Sequence, residues 1–147
     1  MKITKWMKIE ADGSVGGLLD SKPTLKEMQE WVGGLIEFAP ISSKTNWLPV
    51  QNPEDLSTLY KGKVLEVICN EEGLLMSLGA NAVATWATFN SPVNRVRYPI
   101  VGKCIIKYSI DCDKAEEISF NEFASVALMH DEIPSFARNK AINRSDL

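Results

Sequence analysis

Arg95, Arg97 and Lys103 bracket a proline-containing loop and the entrance to a strand, and Tyr98 sits among them. Guanidinium forks and an ammonium group can hold phosphate or carboxylate oxygens, and a phenol ring offers a surface for stacking. Trp47 lies in a second proline-bounded stretch, and Trp86 in a short segment rich in small residues. These six side chains form the candidate binding set. They combine cationic anchors with apolar contact area, which suits an acidic protein surface or a nucleotide-related small ligand. The plainer alternative is a charged loop beside a half-buried tyrosine, with tryptophans that pin loops to the core.

Catalytic chemistry has thinner support. His130 is the single histidine, and its place near a helix end suits local hydrogen bonding as well as proton transfer with Asp131. Asp111, Asp113, Glu116 and Glu117 cluster as hard oxygen ligands would, but without the glycine and terminal glutamate of a calcium loop. They read as surface acid. Cys69, Cys104 and Cys112 contain no C-x-x-C pair, and strand contexts favour free thiols over zinc ligands or disulfides. The sequence has no GxxxxGK[ST], HExxH or GxSxG motif. No catalytic residue, metal ligand or cofactor is assigned. A small hydrolase stays as a third reading, which would require acidic or nucleophilic groups to converge at a cleft.

The chain that must position these residues has 147 residues, 45% of them hydrophobic and 24% charged, which suits one globular domain with its own core. Residues 1–133 are expected to form that domain, and 134–147 a docked or fraying tail. A net charge of -3 gives no global reason to expect nucleic-acid binding. No apolar run approaches the roughly 20 residues of a membrane helix, and the first residues lack a secretory core, so a cytoplasmic location is expected. Oligomeric state is left open.

Pro23 to Phe38 carries the fullest local folding signal. Thr24 and Glu27 have capping-box spacing, so a helix should start at about Leu25, with Leu25, Met28, Trp31 and Val32 on its apolar face. Gly33 and Gly34 can adopt the positive φ that ends a helix, and Leu35-Ile36-Glu37-Phe38 reads as a strand leaving that turn. Upstream, Ile3 to Ile9 alternates, Asp12-Gly13 is a turn, and Val15 to Leu19 can return as a second strand with Gly16 and Gly17 marking a bulge or crossing.

Downstream, Ala39 to Asp55 reads as a long loop, and Pro53 to Tyr60 can form one short helical turn before Lys61-Gly62-Lys63. Val64 to Cys69 is the clearest central strand; Asn70-Glu71-Glu72-Gly73 turns it toward a partner at Leu74 to Met76. Asn81 can cap a short helix through Ala87. A strand follows from Tyr98 to Tyr108, bent at Gly102. Ser119-x-x-Glu122 offers a second capping box for a helix ending near Met129. The expected fold is α+β: a compact mixed sheet of about five or six short strands with two main helices.

The ordered blocks PTLKEMQEWVGGLIEF, VICNEEGLLMSLGANAVAT and YPIVGKCII resemble a poorly characterised family of small phage and mobile-element proteins, in which a helix ending in VGGYIE precedes an NEEG turn and an IVG strand. The likeness spans roughly Ile3 to Ile106, with insertions around Trp47 and Arg95. Val32 to Glu37 fill the first block, Asn70 to Gly73 the second, and Ile100 to Gly102 the third, with Leu35 where the family often has tyrosine. The resemblance implies a compact mixed fold and a phage or mobile-element origin, and carries over no catalytic residue. The expected function is a small noncatalytic accessory protein that binds or regulates a host protein, the alternative being a nucleotide-related ligand binder or sponge.

Overall fold

The computed structural model describes residues 2–39, 47–51, 59–73, 81, 84, 100–111 and 118–128. Within them run β1 (Lys2–Ile9), β2 (Val15–Leu19), α1 (Leu25–Val32), β3 (Ile36–Ala39), β4 (Leu48–Gln51), β5 (Leu59–Asn70), β6 (Cys104–Asp111) and α2 (Phe120–Leu128). The fold is α+β. Six strands form one antiparallel sheet in the order β2-β1-β6-β5-β3, with β4 also on β5. β3 pairs with the second half of β5 and β4 with the first half, in the same direction. They pair along the same edge of β5.

The N-terminal hairpin closes where Asp12-Gly13 predicts. Gly13 has φ 91° and donates to the Glu10 carbonyl, while the Asp12 carboxylate accepts from Ser14. The register slips between Lys8 and Ile9, so that Gly17 faces Lys8 and Val15 faces Ile9. Gly16 is the extra residue of this bulge. A Cβ there would stand 2.8 Å from Glu10 Oε1 and 3.0 Å from the Trp31 ring, so glycine leaves room for both side chains.

Thr24 caps α1 as its spacing predicts: its hydroxyl accepts from the Glu27 N–H, and the Glu27 carboxylate accepts from the Thr24 N–H. Gly33 ends the helix in the left-handed region at φ 83°. Gly34 does not share that conformation among the positive-φ glycines. It is held instead by a close neighbour, since a Cβ there would meet Asn70 Nδ2 at 3.0 Å. Asn70 donates from that nitrogen to the Val32 carbonyl and accepts the Glu72 N–H on Oδ1, while Gly73 donates to its backbone carbonyl. One side chain thereby closes the helix end and the NEEG turn together.

Alternation sorts the sheet into two faces. On one, Met7, Ile9, Val64, Val67, Cys69, Cys104, Ile106, Tyr108 and Ile110 form the main core with Phe123 and its neighbours on α2. Every residue from Phe123 to Leu128 is buried, and Phe123 meets Tyr108 edge to face at 6.1 Å. Gly62 lets Tyr108 lie across β5, because a Cβ there would clash with its hydroxyl and stand 2.7 Å from Cζ. The other face holds a smaller cluster in which Met28 packs on Ile68 and Ile105, with Trp6, Trp31 and Ile36 around them.

Several expectations shift. The stretch from Ala39 to Asp55 is not wholly loop: β4 forms inside it, and Pro49 is tolerated because an edge strand can forgo a donor. Leu59 and Tyr60 open β5 rather than close a helical turn, held there by pairing with Gln51 and Val50. Leu25 is 56% exposed, off the buried side of α1, because the eight-residue helix seats only Met28 and Val32 fully. β6 begins at Cys104, after Gly102 takes φ 70°. The partner strand expected at Leu74 to Met76, His130 and the 134–147 tail lie outside the described residues. Asn81 does act as a cap, its Oδ1 accepting the Ala84 N–H at 3.1 Å.

Candidate functional site

The α1 side of the sheet divides along its length. Beyond the small cluster around Met28, the cross-strand register sets Lys2 and Thr4 of β1, Lys107, Ser109 and Asp111 of β6, and Lys61, Lys63 and Glu66 of β5 on this face, and among the described residues no helix lies over them. Lys2 faces Asp111, which faces Lys61; Thr4 faces Ser109, which faces Lys63; Trp6 faces Lys107, which faces Glu66. The Thr4 and Ser109 hydroxyls share a 2.8 Å hydrogen bond, which confirms that these rows point the same way. Lys2 and Lys61 are exposed; Lys63, Lys107, Glu66 and Asp111 are half-buried. Four ammonium groups thus share this half-face with two carboxylates, in a chain whose net charge is -3.

Tryptophans run through the same side, each beneath lysine. Continuing the β4–β5 register by one residue sets Trp47 level with Lys63 on this face. Lys2 Nζ stands 5.0 Å from the Trp47 ring centroid, Lys107 Nζ 5.3 Å from Trp6, Lys8 Nζ 5.2 Å and Lys103 Nζ 4.5 Å from Trp31. Cation–π attraction of this kind, about 0.5–1 kcal/mol at exposed sites, draws these ammonium groups toward the rings. Trp31 donates from Nε1 to the Cys104 carbonyl at 2.8 Å. Trp6 Nε1 is buried with no acceptor, the one such side-chain atom among the described residues.

Of the six residues singled out by sequence, two are described. Trp47 is half-buried immediately before β4. Lys103 is exposed just before β6, over Trp31 and 4.0 Å from the Glu10 carboxylate. The two do not meet: Trp47 is level with Ser109, about 20 Å along β6 at roughly 3.3 Å per residue. Trp86, Arg95, Arg97 and Tyr98 lie outside the described residues. Gly33, Gly34, Asn70, Gly73 and Gly102 take the structural places given above. Sequence reasoning missed Lys2, Lys61, Lys63 and Lys107, because their common face exists only once β1, β6 and β5 are in register. The alternation of Ile3 to Ile9 was the one available signal, since it sets Trp6 and Lys8 apart from the core.

The thiols belong to the scaffold. Continuing the β5–β6 register by one residue puts Cys69 opposite Cys104, both buried in the main core. Burial pushes the Cys69 thiol from 9.0 up to about 12, with the nearby Glu37 carboxylate adding to the shift. Burial raises Cys104 well above its ordinary value, and Cys69 adds to it. Protonated, enclosed thiols are poor nucleophiles and poor metal ligands. Asp111 occupies the end of β6, while Asp113, Glu116, Glu117 and Cys112 are outside the described residues.

Fold and face together define an antiparallel α+β protein with a main core under α2 on one side of its sheet and a lysine-rich half-face on the other. No family model matches the chain, and no curated protein or solved structure matches it. Among the described residues no helix is long and apolar enough to cross a membrane.

Proposed function

We propose that this protein is a small noncatalytic binding or regulatory protein that docks an acidic surface of a partner protein on its lysine–tryptophan face. The observation that supports this is the segregation of charge: Lys2, Lys61, Lys63 and Lys107 gather beside Trp6 and Trp47 although the whole chain is acidic. Clustered cations steer and orient an acidic partner, and half-buried tryptophans supply the apolar area that anchors it. Each of these rings already has an ammonium group over it. A carboxylate can reach those cations directly, whereas a stacked base would first have to displace them, so an acidic protein fits better than a nucleic acid or nucleotide. The resemblance of the VGG, NEEG and IVG blocks to phage and mobile-element proteins supports a partner in the host.

The test is affinity capture from the natural host with the wild-type protein and with Lys2→Glu/Lys61→Glu/Lys63→Glu. The expected result is an acidic protein retained in defined stoichiometry by the wild type, released by salt and lost from the triple variant. Equal retention by the variant would remove the face from consideration. Retention of a nucleotide in native mass spectrometry, lost with the same substitutions, would favour the ligand-binding alternative.

A further inference from the structure

A second, independent surface is the outer edge of β3. The sheet path ends at this strand, and no other described strand pairs with its far side. Its phase is fixed by the 2.8 Å bond from the Glu71 N–H to the Leu35 carbonyl. In an antiparallel ladder that bond makes Leu35, Glu37 and Ala39 the residues whose backbone groups face β5, and turns the N–H and C=O of Ile36 and Phe38 outward. Two donors and two acceptors therefore line the edge. Beside them Phe38 is 52% exposed and Leu35 56% exposed, on opposite faces, with the exposed Glu37 carboxylate between them in sequence.

The geometry points to β3 as a docking edge for an extended segment of another protein, apolar where it flanks Phe38 and basic where it flanks Glu37. Backbone pairing with Ile36 and Phe38 would supply affinity, and the alternating side chains the selectivity, as in strand addition to an open sheet edge. Glu37 decides the kind of occupant. A second copy of this chain that exchanged hydrogen bonds between Ile36 and Phe38 across a two-fold axis would set Glu37 directly against its own counterpart, a like-charge pair that opposes association. A strand with lysine or arginine at that place turns the repulsion into attraction. The edge uses none of the lysines of the proposed acidic-partner face, so either surface can fail without the other.

The test uses the full chain and three blocked decapeptides: alternating valine–lysine, alternating valine–glutamate, and valine–lysine with a central proline. Binding is followed by amide hydrogen exchange and by chemical-shift titration. The expected result is that the valine–lysine peptide slows exchange at Ile36 and Phe38 by about tenfold or more, as amides newly placed in a ladder do. The other two peptides should not slow it, and Glu37→Lys should transfer the preference to valine–glutamate. Unchanged exchange at Ile36 and Phe38 would overturn the proposal, as would equal binding of the proline peptide. Protection of the same amides by self-association of the chain without peptide would overturn it in favour of a second copy.

Discussion

Asn70 Nδ2 donates to the Val32 carbonyl at 3.1 Å, joining the last turn of α1 to the end of β5. The same side chain accepts the Glu72 N–H at 2.8 Å. Asn70→Ala would leave a helix-end carbonyl without its partner and release the turn at once. With each net hydrogen bond near 1 kcal/mol and a penalty for the unpaired carbonyl, a loss of about 2–3 kcal/mol is expected. Asn70→Asp keeps the acceptor for Glu72 but points a buried carboxylate at a carbonyl, and should be at least as damaging. Urea denaturation of both variants checks the order.

Gly62 and Tyr108 should be energetically coupled. Gly62→Ala drives a methyl into the tyrosine hydroxyl and ring, an overpacking that should cost about 1–3 kcal/mol. Tyr108→Phe removes the first clash and leaves the Cζ contact at 2.7 Å. The double variant is therefore expected to lose less than the sum of the single losses. A double-mutant cycle by thermal or urea unfolding measures that coupling, and strict additivity would contradict the packing.

Asn81 is fully buried and ties three segments: it donates to the Glu10 and Gly102 carbonyls at 2.9 Å each and accepts from Ala84. Asn81→Ala should destabilise the fold by about 3 kcal/mol, since several buried groups lose their partners together. Faster hydrogen exchange at Ala84 is the specific sign, because its N–H is capped by Asn81.

The buried thiols set an alkaline limit. An unfolded chain ionises its cysteines near their ordinary values, whereas the native protein holds Cys69 protonated up to about 12. Their contribution is fully present below about pH 8.5 and declines as pH rises toward 12, by about 1.4 kcal/mol per unit per thiol. Urea midpoints measured from pH 7 to pH 11 should fall. They should fall less steeply in Cys69→Ala and in Cys104→Ala than in the wild type.

Local signals determined a good deal by themselves. Thr24 with Glu27, Gly33, Asp12 with Gly13 and Asn81 are each recognisable in sequence because capping and turn chemistry act across two to four residues. The alternation of β1 and the apolar run of β5 marked strands for the same reason. Tertiary pairing decided what lies beyond that range: β4 holds its strand despite Pro49 because β5 supplies the ladder, and Leu59 joins β5 for the same reason. The cationic face is the clearest case. Lys2, Lys61, Lys63 and Lys107 are scattered over more than a hundred residues, and only the register of β1, β6 and β5 brings them to one side, where Trp47 joins them. Likewise, sequence could place Glu37 in a strand, but only the bond from Glu71 to Leu35 determines which backbone groups of β3 face outward. Strand periodicity assigns two alternate sides locally, and which side meets which neighbour depends on contacts distant in the chain.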